Sequence, residues 1–115
     1  VIDTGTTYHN PAADESLVLV ATGDRNVFAI DAYNGQGATD AYLQMFDAAA
    51  VASVTLGTTE PRWVLPVPAT GGNAPVYHQP LPFDSGIVVA VTSTPDGAGA
   101  PGAPIVLSIR HGRDA

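Results

Sequence analysis

An all-β fold, an antiparallel two-sheet β-sandwich of the jelly-roll kind with seven or eight strands, is what this chain predicts. Three observations carry the prediction. Turn-forming residues cut the sequence into short pieces. The pieces are five to nine residues long and rich in β-branched and aromatic side chains. No segment of helical period separates them, and such a series of short strands closes into a sandwich or jelly roll. At 115 residues the chain fits one domain spanning 1–115.

The punctuation has backbone reasons. Asn10-Pro11, Gly23-Asp24, Asn34-Gly35, Gly71-Gly72-Asn73, Pro95-Asp96-Gly97 and Gly99-Ala100-Pro101-Gly102 all read as turns. Gly and Asn accept positive φ, and Pro fixes φ while removing a donor. Between them, strands are expected at Ser16–Thr22, Asn26–Tyr33, Ala41–Asp47, Arg62–Val67, Pro75–Gln79, Ile87–Ser93 and Ile105–His111, with an eighth near Ile2–Tyr8.

Each strand shows its faces. In 105–111, Ile105, Leu107 and Ile109 oppose Val106, Ser108 and Arg110. In 87–93, Ile87, Val89 and Val91 oppose Val88, Ala90 and Thr92. In 26–33, Phe28, Ile30 and Ala32 oppose Val27, Ala29 and Tyr33, so both faces are apolar and the strand reads as central or covered. Asn34–Gly37 supplies a turn after it, and 26–33 with 41–47 reads as a hairpin. The alanines of Asp40–Val54 favour helix, but a strand followed by one helical turn near Ala48–Val51 suits the preceding turn better. Arg62–Val67 carries Pro66, with Pro68 just beyond, which marks an edge strand or extended connector. Phe28 and Phe46 are expected in the core. Segments 1–12 and 111–115 are candidate extended arms.

Composition narrows the function classes. The chain has no cysteine, which excludes disulfides, thiolate metal sites and cysteine nucleophiles. Hydrophobic residues make up 45% and charged residues 13%, about half the usual ~25%. So few charges suit a surface largely covered by partners, although Ser, Thr, Asn, Gln and Gly also wet a sandwich adequately. Net charge is −7, from eleven acids against four arginines and no lysine. That balance argues against nucleic acid, whose phosphates need Lys and Arg, and against an anionic membrane surface. No signal-like segment opens the chain, and no apolar run approaches the ~20 residues of a membrane span.

Catalytic signals are weak. His9, His78 and His111 show no metal-ligand spacing and read as exposed loop or strand-end residues. Asp84-Ser85-Gly86 lacks the Gly-x-Ser-x-Gly elbow and sits where a turn should enter a strand. Asp14-Glu15 are sequence neighbours that solvated turn acids explain, not a glycosidase pair. Asp24, Asp40 and Asp96 fall at turns. The Asp-x-Asp-x-Asp-Gly calcium loop is absent. Gly35-Gln36-Gly37 lacks the lysine and helix of a phosphate loop. No enzymatic activity, cofactor or metal is expected. Trp63, Pro66, Pro68, Tyr77 and His78, near proline-marked edges, are the candidate interface.

One stretch resembles a known group. Asp40-Ala-Tyr-Leu-Gln-Met-Phe-Asp47 is followed by Leu56-Gly-Thr-Thr-Glu-Pro61, Leu65-Pro-Val-Pro68 and Phe83-Asp-Ser-Gly-Ile-Val-Val-Ala-Val-Thr92. This order resembles small jelly-roll virion proteins of tailed bacteriophages, of the capsid decoration (cement) or head-fibre type, over about half of the chain. The resemblance implies a structural protein on the capsid surface, assembled as a homotrimer and bound to the major capsid protein. A different reading is a receptor- or carbohydrate-binding sandwich of a phage fibre or spike.

Overall fold

The computed structural model describes residues 5–35 and 37–113. Among them are nine strands: β1 (Thr6–Ala13), β2 (Val18–Thr22), β3 (Arg25–Asn34), β4 (Ala41–Asp47), β5 (Trp63–Val67), β6 (Gly71–Asn73), β7 (Val76–Phe83), β8 (Gly86–Thr92) and β9 (Ile105–Gly112). The first sheet has the order β1-β9-β3-β6, with β7 also on β3, and the second has the order β2-β8-β4-β5. Every pairing is antiparallel. The chain crosses between sheets at every connection except β4–β5 and β6–β7. The pairs β1–β9, β2–β8, β3–β6/β7 and β4–β5 are therefore nested, which is the jelly roll the sequence predicts. The thinnest extent is 20 Å, as two sheets packed ~10 Å apart with their outer side chains require.

The core follows the alternation. Ile105, Leu107 and Ile109 of β9 are fully buried against Ile87, Val89 and Val91 of β8 and Leu43 and Met45 of β4. On β3 a register shift between Val27 and Ala29, seen against both β7 and β9, changes the phase of the strand. Val27 consequently joins Ile30 and Ala32 in the core, not the opposite face, and Phe28 is only half-buried. Such a bulge opposes two residues to one and resets which side chains point inward.

The expected hairpin of 26–33 with 41–47 does not form. β3 pairs with β9, β6 and β7, while β4 pairs with β5 and β8. The 35–40 connection instead carries the chain from one sheet to the other. Asn34 holds it, donating from Nδ2 to Thr39 O at 3.0 Å and to Val67 O at 3.5 Å. Asp40 Oδ1 accepts from Ala69 N at 2.9 Å at the same end.

Other boundaries shift for local reasons. Asn10-Pro11 lies inside β1, at a register shift between Asn10 and Ala13, where an edge strand tolerates the missing donor. Segment 6–12 is thus a paired strand, not a free arm, and His111 and Gly112 belong to β9. Residues 1–4, which include the first three residues of the eighth expected strand, and residues 114 and 115 lie outside the described residues; the rest of that strand falls at the start of β1. Gly71–Asn73 is a strand, not a turn: the turn comes one step earlier, at Thr70 with φ 52°. Gly72 is needed there because a Cβ would sit 2.8 Å from Ala32 O. β2 starts at Val18, two residues late, and β7 runs on through Pro80 and Pro82 because it is an edge strand bonded only to β3. The helical turn is a single 3-10 turn at Val51–Ser53.

Candidate contact surface

The two sheets differ on their outer faces. On the second sheet, the alternate residues Val88, Ala90 and Thr92 of β8 and Gln44 and Phe46 of β4 are as buried as the core itself. The chain covers them with its own loops. Phe46 and Val88 pack under Ala48 and Val54, with Leu17 and Leu56 alongside. Gln44 Nε2 donates to Thr92 Oγ1 at 2.7 Å and to Gly97 O at 3.0 Å, which ties the β8–β9 loop down over the sheet. Phe46 is therefore buried as expected, but in a second, smaller cluster outside the sandwich.

The first sheet has no such cover. Its outer face is built in rows by the β1-β9-β3 ladder. Tyr33 lies opposite Val106, Asp31 opposite Ser108, and Ser108 opposite His9. Ala29 pairs with Arg110 on one side and Val76 on the other. Val76 is 75% exposed, Tyr33 55% and Val106 41%. A side chain at Gly35 would run into the Tyr33 ring, so this glycine leaves it room. Two shallow hollows flank the centre. One, of about 260 Å³, is lined by Pro11, Ala12, Tyr33, Gly35, Pro104 and Val106. The other, of about 250 Å³, includes Thr7, Ala29, Asp31, Val76 and Arg110.

Charge is distributed unevenly. Exposed Asp24, Asp40, Glu60, Asp84 and Asp96 all sit in connections between strands. On the outer face of the first sheet the described acid is Asp31, with Arg110 one row away. In a chain of net charge −7, this face is close to neutral.

The flank where β5 faces β6 and β7 holds Trp63, Pro66, Pro68 and Tyr77 of the five residues singled out from sequence, while His78 alternates with Tyr77 along β7 and lies on the face of Val76. The structure brings two of them together. Trp63 Nε1 donates to the Tyr77 hydroxyl at 3.0 Å, with the rings edge-on, 5.9 Å apart at 88°. Pro66 O accepts from Asn73 Nδ2 at 2.9 Å, and Arg62 Nε donates to Pro82 O at 2.7 Å. These contacts join the edge strand of one sheet to the edge strands of the other. Pro66, Pro68 and His78 remain exposed. Burial raises the Tyr77 pKa, and the Trp63 hydrogen bond partly offsets the rise.

The histidines are spread over the molecule. His9 is exposed, with Nδ1 2.7 Å from Ser108 Oγ. That pair sits on an open sheet beside Asp31, which faces the serine and not the imidazole. A nucleophilic triad needs the acid behind the histidine and an oxyanion site. His111, expected to be exposed, is 4% exposed, because it continues the inward alternation of Ile105, Leu107 and Ile109. Asp14 Oδ1 accepts from Ser16 N at 3.0 Å, the local turn bond expected of such an acid. Among the described residues no three metal-ligating side chains converge. A cleft of about 560 Å³ lies beside Asp47, Glu60 and Arg62 at one end of the sandwich, floored by Phe46 and Val54.

Sequence reasoning missed Tyr33, Val76 and Val106 as a set. The signal was present in Val106, read correctly as the outward face of 105–111, and in the apolar second face of 26–33. Compared with known proteins, the chain matches no family model, no curated protein and no solved structure.

Proposed function

We infer that this is a non-enzymatic structural protein that works by surface contact, as a capsid decoration protein of a tailed-phage particle. The observation that carries the reading is the asymmetry of the sandwich. One sheet has most of its outer face covered by its own loops, with Leu19 and Val51 still 38% exposed, while the other leaves Tyr33, Val76 and Val106 in water at 55%, 75% and 41%. An exposed apolar patch on an otherwise well-formed domain marks a contact surface. The edges support the same reading. β1 carries Pro11 and a register shift, β2 a register shift, β5 carries Pro66, and β7 carries Pro80 and Pro82. Such features discourage edge-to-edge strand addition, so association by a face is favoured. The assignment to a phage head comes from the resemblance of residues 40–92 to that group of virion proteins.

The mechanism is burial. Each copy would cover apolar surface on its neighbours and hold coat subunits together, at roughly 800 Å² or more per partner for a stable contact. The test is immunogold labelling, with antibody to this chain, of tailed particles released by the source cells. Label spread over the heads supports decoration. Label confined to a tail tip favours the receptor-binding reading, and unlabelled particles overturn both.

A further inference from the structure

We propose that the cleft at one end of the sandwich, beside Asp47, Glu60 and Arg62, binds a neutral pyranose sugar of a glycan chain. The proposal stands apart from the decoration reading, since the cleft shares no lining residue with the two hollows of the first sheet. Its walls are strand ends. Asp47 closes β4, in register with Ile87 of β8. Arg62 leads into β5, with its backbone N–H donating to Met45 O at 2.8 Å. Ser85 lies in the β7–β8 turn. Side chains placed by such elements keep their positions without a ligand, which lowers the cost of binding. At about 560 Å³ the cleft falls in the roughly 300–1,000 Å³ range of small-molecule sites.

The polar groups select the ligand. The cleft holds both signs of charge but does not pair them. Arg62 Nε is taken by Pro82 O at 2.7 Å, and its terminal nitrogens meet no partner among the described residues. Asp47 Oδ1 accepts from Ser85 N at 2.7 Å; its other oxygen has no partner among the described residues, nor has the Glu60 carboxylate. Unpaired donors and unpaired acceptors therefore line one cleft. A hydroxyl is donor and acceptor at once, so the hydroxyls around a sugar ring meet both kinds. Thr59 adds a hydroxyl whose oxygen already accepts from Thr55 N at 2.9 Å, which leaves its O–H to donate. The floor of Phe46 and Val54 suits the C–H face of the ring. Charge decides between neutral and ionic ligands. Two carboxylates against one guanidinium, in a chain of net charge −7, disfavour an anion. Arg62 disfavours a cation. A zwitterion would engage Arg62 and an acid but leave the hydroxyls of Ser53, Thr59 and Ser85 unused.

The closing experiment titrates the isotope-labelled chain with the methyl pyranosides of glucose, galactose, mannose and N-acetylglucosamine, followed by amide chemical shifts. At least one of these sugars is expected to move the amides of 46–49, 59–62 and 84–86 and to leave those of Tyr33, Val76 and Val106 in place. Leucine, a zwitterion, and methyl glucuronide, an anion, are expected to move none of them. Glu60→Gln removes an ionised acceptor that has no partner in the fold, so binding is expected to weaken about tenfold with the urea midpoint unchanged. Asp31→Asn, on the outer face of the first sheet, is expected to bind as the wild type does. Cleft amides that respond to none of the sugars overturn the proposal, as does a response to leucine or the glucuronide alone. Equal binding by Glu60→Gln and the wild type overturns it too. Immunogold labelling of particles is independent of these results, so failure of the sugar site and failure of the decoration reading are separable.

Discussion

Trp63 on β5 and Tyr77 on β7 lock the two sheets together at their open flank, through one hydrogen bond of 3.0 Å and an edge-on ring contact at 5.9 Å. Neither strand pairs with the other, so this side-chain bridge does what a ladder does elsewhere. Tyr77→Phe keeps the ring and removes the acceptor. The expected loss is about 0.5–1.5 kcal/mol. A double-mutant cycle with Trp63→Phe, measured by urea unfolding, is expected to give a coupling energy of the same order. Zero coupling would mean the bridge is incidental.

The same pair sets an alkaline limit. Burial keeps the Tyr77 phenol protonated, so its pKa is raised above the usual 10. The stability tied to that proton is complete below about pH 10 and lost as pH rises through the folded-state value. Phenolate absorbance should show a tyrosine titrating above the ordinary range, absent in Tyr77→Phe. Trp63→Phe removes the donor that favours the phenolate, and the titration should move further up.

Gln44 is the latch of the sealed face. Its amide reaches Thr92 Oγ1 and Gly97 O from a fully buried position. Gln44→Met fills similar space but leaves those acceptors without a donor, at an expected cost of about 1–3 kcal/mol. Hydrogen exchange should then quicken in residues 93–99 before the β4–β8 ladder itself is affected. Equal protection in both proteins would remove the latch.

Gly86 opens β8 at φ 153°, with its position hemmed by backbone. An added Cβ would lie 2.5 Å from Ala48 O and 2.7 Å from Ala21 O. Flexible side chains yield to such a clash, but carbonyls of two neighbouring segments do not. Gly86→Ala is expected to destabilise by more than about 1 kcal/mol, read as a lowered denaturation midpoint. A neutral result would show that the β2–β8 junction is looser than its geometry.

How much of this was legible in the sequence depends on the element. β9 could be read almost residue by residue from Ile105 to Arg110, because strict alternation fixes both faces; His111 was expected to be exposed, and the same alternation carries it inward. β8 was legible as a strand but not as a doubly covered one. Val88, Ala90 and Thr92 are buried only because residues 48–56 and 93–100 fold over them, and loops leave no periodic trace. Asn34-Gly35 correctly signalled a change of direction. It could not say whether the chain returns to the same sheet or crosses to the other, since that choice rests on tertiary bonds from Asn34 to Thr39 and Val67. The bridge between Trp63 and Tyr77 joins residues on different sheets, so only their shared nearness to prolines hinted at it. Tyr33 was obscured by its neighbours: next to Asn-Gly it looks like a turn flank, while the bulge at Val27–Ala29 hides the phase of its strand.

Two substitutions separate the sealed cluster from the open face. Phe46→Ala empties the small cluster with Val88 and Val54, at about 3–5 kcal/mol. Val76→Ser, at a side chain mostly in water, should change stability by no more than about 0.5 kcal/mol. Thermal melts of both variants check the contrast. Comparable losses would mean that the first sheet is covered within the single chain.

The most direct test of the contact face is a hydroxyl-radical footprint of the chain on the purified particle, compared with the dilute free protein. Tyr33, Val76 and Val106 are expected to lose reactivity on the particle, while Val51, Thr58 and Ala98, over the second sheet, keep theirs. Protection of the loops over the second sheet, with Tyr33 still reactive, would contradict that expectation.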